Sequence, residues 1–248
     1  MRPITIGLDL AKHVFQVHGV DATGQVVIRK KLRRAELLEF FKGLPPSLVG
    51  MEASGTAHHW GRELTALGHD ARLTPAGYVK PYVKRGKNDA VDAEAICEAV
   101  ARPTMRFVDI KSAEQQSGLM LHRTRELLVR QRTALINSLR GQLAEFGLIA
   151  PKGVWSIPDL HDLAQGATSA VLPDAVRGCV ELIMGQIDEL QTRIQAIEKV
   201  IRKNHHASEV SLRLQTIPGI GVITASAITA TIGDIKAFKS GRHLVVPA

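Results

Sequence analysis

Aromatic residues and cysteines are both scarce in this 248-residue chain. Aromatic residues make up 4%, so a buried core must be mainly aliphatic. Two cysteines, Cys97 and Cys179, are too far apart for a C-x-x-C metal site and too few for a disulfide framework, which fits a reducing cytoplasm. The N-terminus is not a signal peptide, because Asp9 and Lys12 interrupt its apolar run.

Long apolar runs are also lacking, apart from an uncharged stretch from Leu214 to Gly233. Its 20 residues match the length of a membrane span, but they include Pro218, three glycines and several hydroxyl side chains. We therefore predict no contact with a membrane.

The charge is strongly one-sided, with 32 Lys and Arg against 24 Asp and Glu, a net charge of +8. Such an excess favours a polyanionic partner, nucleic acid first, although soluble basic enzymes are also common. The apolar content of 45% is enough for a buried core and excludes a disordered chain.

The first hundred residues alternate between strand and helix patterns. Three closely spaced strands predict an antiparallel meander, and strand–helix–strand units follow. We expect a mixed sheet flanked by helices. The predicted strands are 4–10, 13–20, 26–32, 47–54 and 69–75, and the predicted helices are 35–44, 56–68 and 88–102.

The second half is helical. A long helix is predicted over 113–147, and a connection over 150–175 leads to a second helix. That helix carries an apolar heptad stripe about 40 Å long, typical of a coiled-coil seam. The stripe either packs on the 113–147 helix or joins two chains, and its length leads us to expect self-association through 176–201. Its members are Val176, Val180, Ile183, Ile187, Leu190, Ile194, Ile197 and Ile201.

Two acids occupy strand positions that follow a glycine on the same face. Asp9 lies two residues after Gly7, and Glu52 lies two residues after Gly50. We interpret each glycine as leaving room for a hydrated cation or a phosphate beside the carboxylate. The alternative for Asp9 is a solvent-exposed position at the end of an edge strand.

Two further acids, Asp89 and Asp92, lie three residues apart on one helix face. Together with Asp9 and Glu52 they form a set that can bind two Mg²⁺ ions for phosphodiester chemistry. The alternative is that the helix pair only stabilises the positive end of the helix dipole.

These acids stand in motifs that resemble a known family. IGLDLAK, GMEASG and KNDAVDAEAI resemble, in order and spacing, the RuvC-like acid motifs of the DEDD insertion-sequence transposases of the "one-ten" family. The block LQTIPGIGVITASAITATIGDIKAFKSGR resembles that family's second signature. The resemblance implies an RNase H-like first domain, Mg²⁺ or Mn²⁺ held by the four acids, a coiled-coil insert for assembly, and recombination of two DNA partners guided by RNA.

Basic segments flank the acid motifs. RKKLRR at 29–34 is either a nucleic-acid contact or an edge strand protected by its charge. The loop at 80–87 is predicted to contact phosphates, with Tyr78 and Tyr82 available to stack on bases. The cations of this loop are Lys80, Lys84, Arg85 and Lys87.

The segment Pro218-Gly219-Ile220-Gly221 joins two predicted helices. It resembles a helix-hairpin-helix loop, in which Gly219 and Gly221 let backbone N–H groups approach a phosphate. The alternative is a tight turn without a ligand.

We therefore predict an RNase H-like α/β domain at 1–105, a helical coiled-coil region at 106–206, and a small helical C-terminal domain at 207–248. The predicted function is a divalent-metal-dependent transposase acting on DNA. The alternatives are a RuvC-like structure-specific nuclease and a non-catalytic nucleic-acid-binding protein.

The resemblance also raises an expectation about the nucleophile. The family's second signature continues into a segment with a nucleophilic serine, whereas this sequence ends at Ala248. Ser226 and Ser240 do not match that serine's position. We expect a truncated chain that keeps metal and nucleic-acid binding but does not complete strand exchange.

Overall fold

The computed structural model describes residues 5–83, 89–149, 159, 162 and 172–233. Within this part, residues 5–113 with Gly233 form one compact unit, and residues 114–232 form the other. The second unit holds the long helices together with the helices that follow them. The three-part division at residues 105 and 206 stays a prediction.

The first unit is built on a five-stranded mixed sheet with the order β3-β2-β1-β4-β5. The first three strands pair antiparallel as a meander, and β1, β4 and β5 run parallel to one another. The predicted mixed sheet is therefore confirmed. The strands are β1 (Thr5–Asp9), β2 (Val14–Val20), β3 (Val26–Arg33), β4 (Leu48–Glu52) and β5 (Asp70–Thr74).

One face of this sheet carries the aliphatic core. Ile6 and Leu8 alternate along β1 toward this face and are fully buried against Phe41 and Trp60. Few aromatic residues contribute to this core. Two of them, Phe15 and Trp60, pack edge to face with their ring centres 5.3 Å apart. The helices of this unit are α1 (Leu37–Lys42), α2 (Ala57–Ala66), α3 (Ala76–Val79) and α4 (Asp89–Val100).

The other face carries glycines where α4 crosses it. A Cβ added to Gly7 would lie 2.0 Å from the carbonyl oxygen of Ala93, and one added to Gly50 would lie 2.7 Å from Cβ of Val100. The backbone of α4 therefore packs directly on the strands, which larger residues at these positions would prevent.

The second unit contains an antiparallel helical hairpin of α5 (Ala113–Ala144) and α6 (Asp174–His206). Arg125 pairs with Glu198 across it at 2.7 Å, and both side chains are mostly buried. The apolar stripe of α6 packs on α5, with Ile187 among its fully buried members. The hairpin alternative is thus the one observed. Val176, Val180, Ile183 and Ile187 pack with apolar side chains of α5, so this part of the stripe gives no reason to expect self-association.

This packing predicts a contrast between two positions on α6. Ile187→Ala is expected to lower the free energy of unfolding by about 2–5 kcal/mol, because it leaves a cavity in the hairpin. Leu182→Ala is expected to change it by less than about 0.5 kcal/mol, because Leu182 is 72% exposed. Urea titration followed by circular dichroism measures both variants. Equal effects would contradict the observed orientation of α6.

Two short helices, α7 (Glu209–Gln215) and α8 (Val222–Thr231), follow the hairpin. They divide the uncharged stretch from Leu214 to Gly233, so this stretch is not one continuous helix. In the described part of the chain, no helix has both the length and the apolar character of a membrane span.

Candidate active site

Two acids stand side by side at one edge of the sheet. Gly7 pairs with Gly50 and Leu8 with Met51 in the parallel ladder, so the same register next brings Asp9 beside Glu52. Neighbouring strands lie about 4.8 Å apart, and residues at one level of parallel strands share a face. Both side chains are half-buried. The end of β1 and the end of β4 therefore present two carboxylates to the same space.

The surroundings of Asp9 differ from two of our expectations. Asp9 does not end an edge strand, because β1 is the central strand of the sheet. The glycines before the acids do not leave open space for a cation or phosphate, because α4 fills it. They act instead by letting α4 approach the sheet.

The direction of α4 brings its own acids toward the same edge. The Sγ atom of Cys97 donates a hydrogen bond to the carbonyl oxygen of Thr5 at 3.4 Å, and Ala93 lies over Gly7. The helix thus runs opposite to β1, so its N-terminal residues Asp89 and Asp92 lie toward Asp9. The helix rises about 6 Å from Ala93 back to Asp89. The strand advances by roughly the same distance, about 6.6 Å, from Gly7 to Asp9.

The described side chains at this edge do not form a closed metal-binding cluster. Among the described side chains, no three His, Cys, Asp or Glu groups are close enough to hold a metal ion together. Asp92 is half-buried, and the side chain of Asp89 lies outside the described residues. As a donor set, these carboxylates suit Mg²⁺, which binds one or two carboxylates and keeps several waters.

Two polar residues beside the acids were not predicted from the sequence. Gln16 pairs with Asp9 on one side, and Thr74 pairs with Glu52 on the other. The hydroxyl of Thr74 is fully buried and has no hydrogen-bond partner in the described structure. Both residues lie in the same cross-strand row as the acids and on the same face of the sheet. This placement depends on strand register, so the spacing of the motifs could not predict it.

Cys97 lies on the same side of the sheet but is not a reactive thiol. Burial raises its pKa to about 11, so the thiol stays protonated at neutral pH. A protonated thiol is a poor nucleophile and a poor metal ligand. The candidate metal ligands at this edge are therefore the carboxylates, not the Cys97 thiol.

The basic segments are placed in different surroundings. Lys80 is exposed, whereas Tyr82 packs beside Val79 and takes the guanidinium of Arg102 on its ring at 5.6 Å. Tyr82 is therefore engaged in packing, and Tyr78 is the tyrosine that remains 46% exposed. The segment that carries Lys84, Arg85 and Lys87 lies outside the described residues.

The Pro218–Gly221 segment forms the turn between α7 and α8, as predicted. Gly219 has φ +88°, a conformation that favours glycine, and Gly221 is the N-cap of α8. The turn geometry alone accounts for Gly219, and a helix-hairpin-helix function stays a proposal.

Two models of known protein families match this chain. Residues 6–147 match the DEDD transposase model of the IS110 group, and residues 211–246 match the model described as "Transposase IS116/IS110/IS902 family". These two matches define the class as a transposase with DEDD acid motifs. The chain belongs to the IS116/IS110/IS902 family of transposases, which confirms the resemblance seen in the motifs.

Curated relatives support this assignment. A protein named as a family 20 transposase in Pseudomonas aeruginosa is 49% identical over 96% of this chain and 71% of its own length. A protein named as transposase y4pF/y4sB in Sinorhizobium fredii is 47% identical over 96% of this chain and 61% of its own length. The transposase for insertion sequence element IS1328 of Yersinia enterocolitica is 39% identical over 96% and 70%. The chain thus spans roughly two thirds of these relatives' length.

Proposed function

We propose that this chain acts on DNA as a divalent-metal-dependent transposase with an RNase H-like catalytic domain. The observation that carries the proposal is the pair of carboxylates, Asp9 and Glu52, at the ends of adjacent parallel strands. The sheet order and the antiparallel meander support the RNase H-like assignment. Membership of a transposase family supplies the reaction class.

In this proposal Asp9, Glu52, Asp89 and Asp92 hold Mg²⁺ or Mn²⁺. Divalent ions held by these residues would supply Lewis-acid chemistry to a phosphodiester, at the attacking and the leaving oxygen. The contribution of the chain is to fix carboxylates from three elements, β1, β4 and α4, at one edge. The packing of α4 on Gly7 and Gly50 supports this role, because it holds the helix acids close to the sheet.

The proposal also assigns nucleic-acid contacts. Lys80 is exposed and lies between β5 and α4, so it can meet a phosphate near the acids. Lys84, Arg85 and Lys87 are assigned the same role from their motif alone. Gly219 and Gly221 are assigned a backbone contact with DNA, supported by the turn that precedes α8. We further propose that an RNA guides the choice of DNA.

A plasmid assay tests the proposal. The substrate is a supercoiled plasmid that carries the gene with its flanking noncoding DNA, incubated with the purified chain. We expect strand breakage that needs both Mg²⁺ and RNA transcribed from the flank, and none with EDTA. Breakage without RNA would support the structure-specific nuclease instead. DNA binding without any metal-dependent breakage would support the non-catalytic binding protein.

A further inference from the structure

We propose that the groove between β3 and the N-terminal half of α4 holds the sugar-phosphate backbone of the DNA strand that reaches the acids. The groove has a volume of about 420 Å³. Its lining includes the polar residues Gln16 and His18 of β2, Arg29 and Lys31 of β3, and Glu94 of α4. This inference rests on the proposed function, because it names the path of that function's substrate.

Strand register connects the groove to the acid edge. Gln16 pairs with Asp9 on β1 and with Lys31 on β3, so these three residues form one row across the sheet. Residues paired in this way share a face, here the face covered by α4. Two strand spacings place the backbone of Lys31 about 10 Å from that of Asp9.

A second row repeats the arrangement one pleat further on. His18 pairs with Gly7 and with Arg29, so Arg29 lies on the same face as Lys31. Both cations are exposed on the edge strand. No ion pair within the described part of the chain involves either of them. Two cations one pleat apart, facing into a groove, are suited to successive phosphates.

The side chains of two other cations of 29–34, Lys30 and Arg34, lie away from the groove. Lys30 points to the opposite face, where its ammonium lies 5.0 Å from the centre of the Phe40 ring. Arg34 stacks over Trp60 at 5.1 Å. Both therefore contribute to packing. Glu94 is the one acid among the described residues that line the groove, against the two cations Arg29 and Lys31.

The experiment measures binding of the full chain to fluorescent 30-nucleotide single-stranded and duplex DNA at several salt concentrations. We expect Arg29→Ala and Lys31→Ala each to weaken DNA binding several-fold at low salt. Each should also lower the slope of log affinity against log salt by about 0.7 to 0.9. Lys31→Glu should weaken binding further than Lys31→Ala.

Lys42→Ala is the matched control. It removes one cation from α1, which packs on the opposite face of the sheet, and Lys42 is 56% exposed beside Glu39. We expect it to leave affinity and salt slope unchanged. Circular dichroism is expected to show native folding for all variants, since each replaced side chain is exposed.

Three outcomes would overturn the groove proposal. They are unchanged DNA binding in the double variant Arg29→Ala/Lys31→Ala, an equal loss in Lys42→Ala, and a loss that appears only when a 30-nucleotide RNA probe is used in place of the DNA in the same titration. In each of these the wild type still binds DNA and Mn²⁺, so the proposed function stands. A wild type that binds neither DNA nor Mn²⁺ would overturn both proposals.

Discussion

Asp9→Asn and Glu52→Gln are each expected to weaken Mn²⁺ binding at least tenfold and to reduce metal-dependent DNA breakage by about 100-fold or more. Both acids end adjacent parallel strands on one face, so in the proposed site each supplies a negative oxygen ligand that an amide does not replace. Loss of an outer partner of a metal ligand already costs about 10- to 100-fold in affinity or activity. Direct ligands should exceed that. Isothermal titration with Mn²⁺ measures the first effect, and plasmid nicking measures the second.

The control for these variants is Asp70→Asn. Asp70 begins β5, at the opposite end of the parallel strands from Glu52, and its carboxylate pairs with Arg72 at 2.6 Å. Its removal takes away one negative charge from the same sheet but should leave Mn²⁺ affinity unchanged. Wild-type Mn²⁺ affinity in Asp9→Asn would refute the metal assignment. An equal loss in Asp70→Asn would show a general electrostatic effect instead of ligation.

The order of elements in the first unit was predictable because local patterns determine it. Alternation of Ile6 and Leu8 with polar or small residues identifies β1, and Pro45 with Pro46 separates α1 from β4. Each signal acts within a few residues of its cause, so it needs no knowledge of the fold. The heptad steps of the 176–201 stripe likewise predicted α6, although not what covers it.

The contacts between residues far apart in the sequence were less predictable, because they depend on strand register and on helix packing. The spacing of Gly7 and Asp9 located an acid, yet the use of Gly7 depends on Ala93, which is 86 residues away in the chain and packs over it. The pairing of Gln16 with both Asp9 and Lys31 depends on two separate ladders. The sequence therefore identifies 29–34 as a charged segment. It does not indicate which of its side chains lie on the same face of the sheet as the acids.

Gly7→Ala is expected to destabilise the first unit by about 3 kcal/mol or more, and to weaken Mn²⁺ binding as well. The new methyl group would meet the carbonyl oxygen of Ala93 at 2.0 Å and the backbone nitrogen of Cys97 at 2.5 Å. Overpacking normally costs about 1–3 kcal/mol when side chains can adjust. Here the obstacle is helix backbone, so α4 itself must shift. In the proposed site such a shift also moves Asp92 away from Asp9.

Alanine substitutions at two other glycines serve as comparisons for the loss of stability in Gly7→Ala. Gly61→Ala would meet the flexible side chain of Ile110 at 2.8 Å, so we expect a loss of about 1 kcal/mol. Gly77→Ala meets nothing within 4 Å and lies in α3, where alanine is the better helix former, so stability should be unchanged or slightly higher. Thermal unfolding monitored by circular dichroism gives the ranking. If Gly7→Ala is no less stable than Gly61→Ala, the close packing of α4 on β1 is refuted, and with it the reason for placing Asp89 and Asp92 at the edge formed by Asp9 and Glu52.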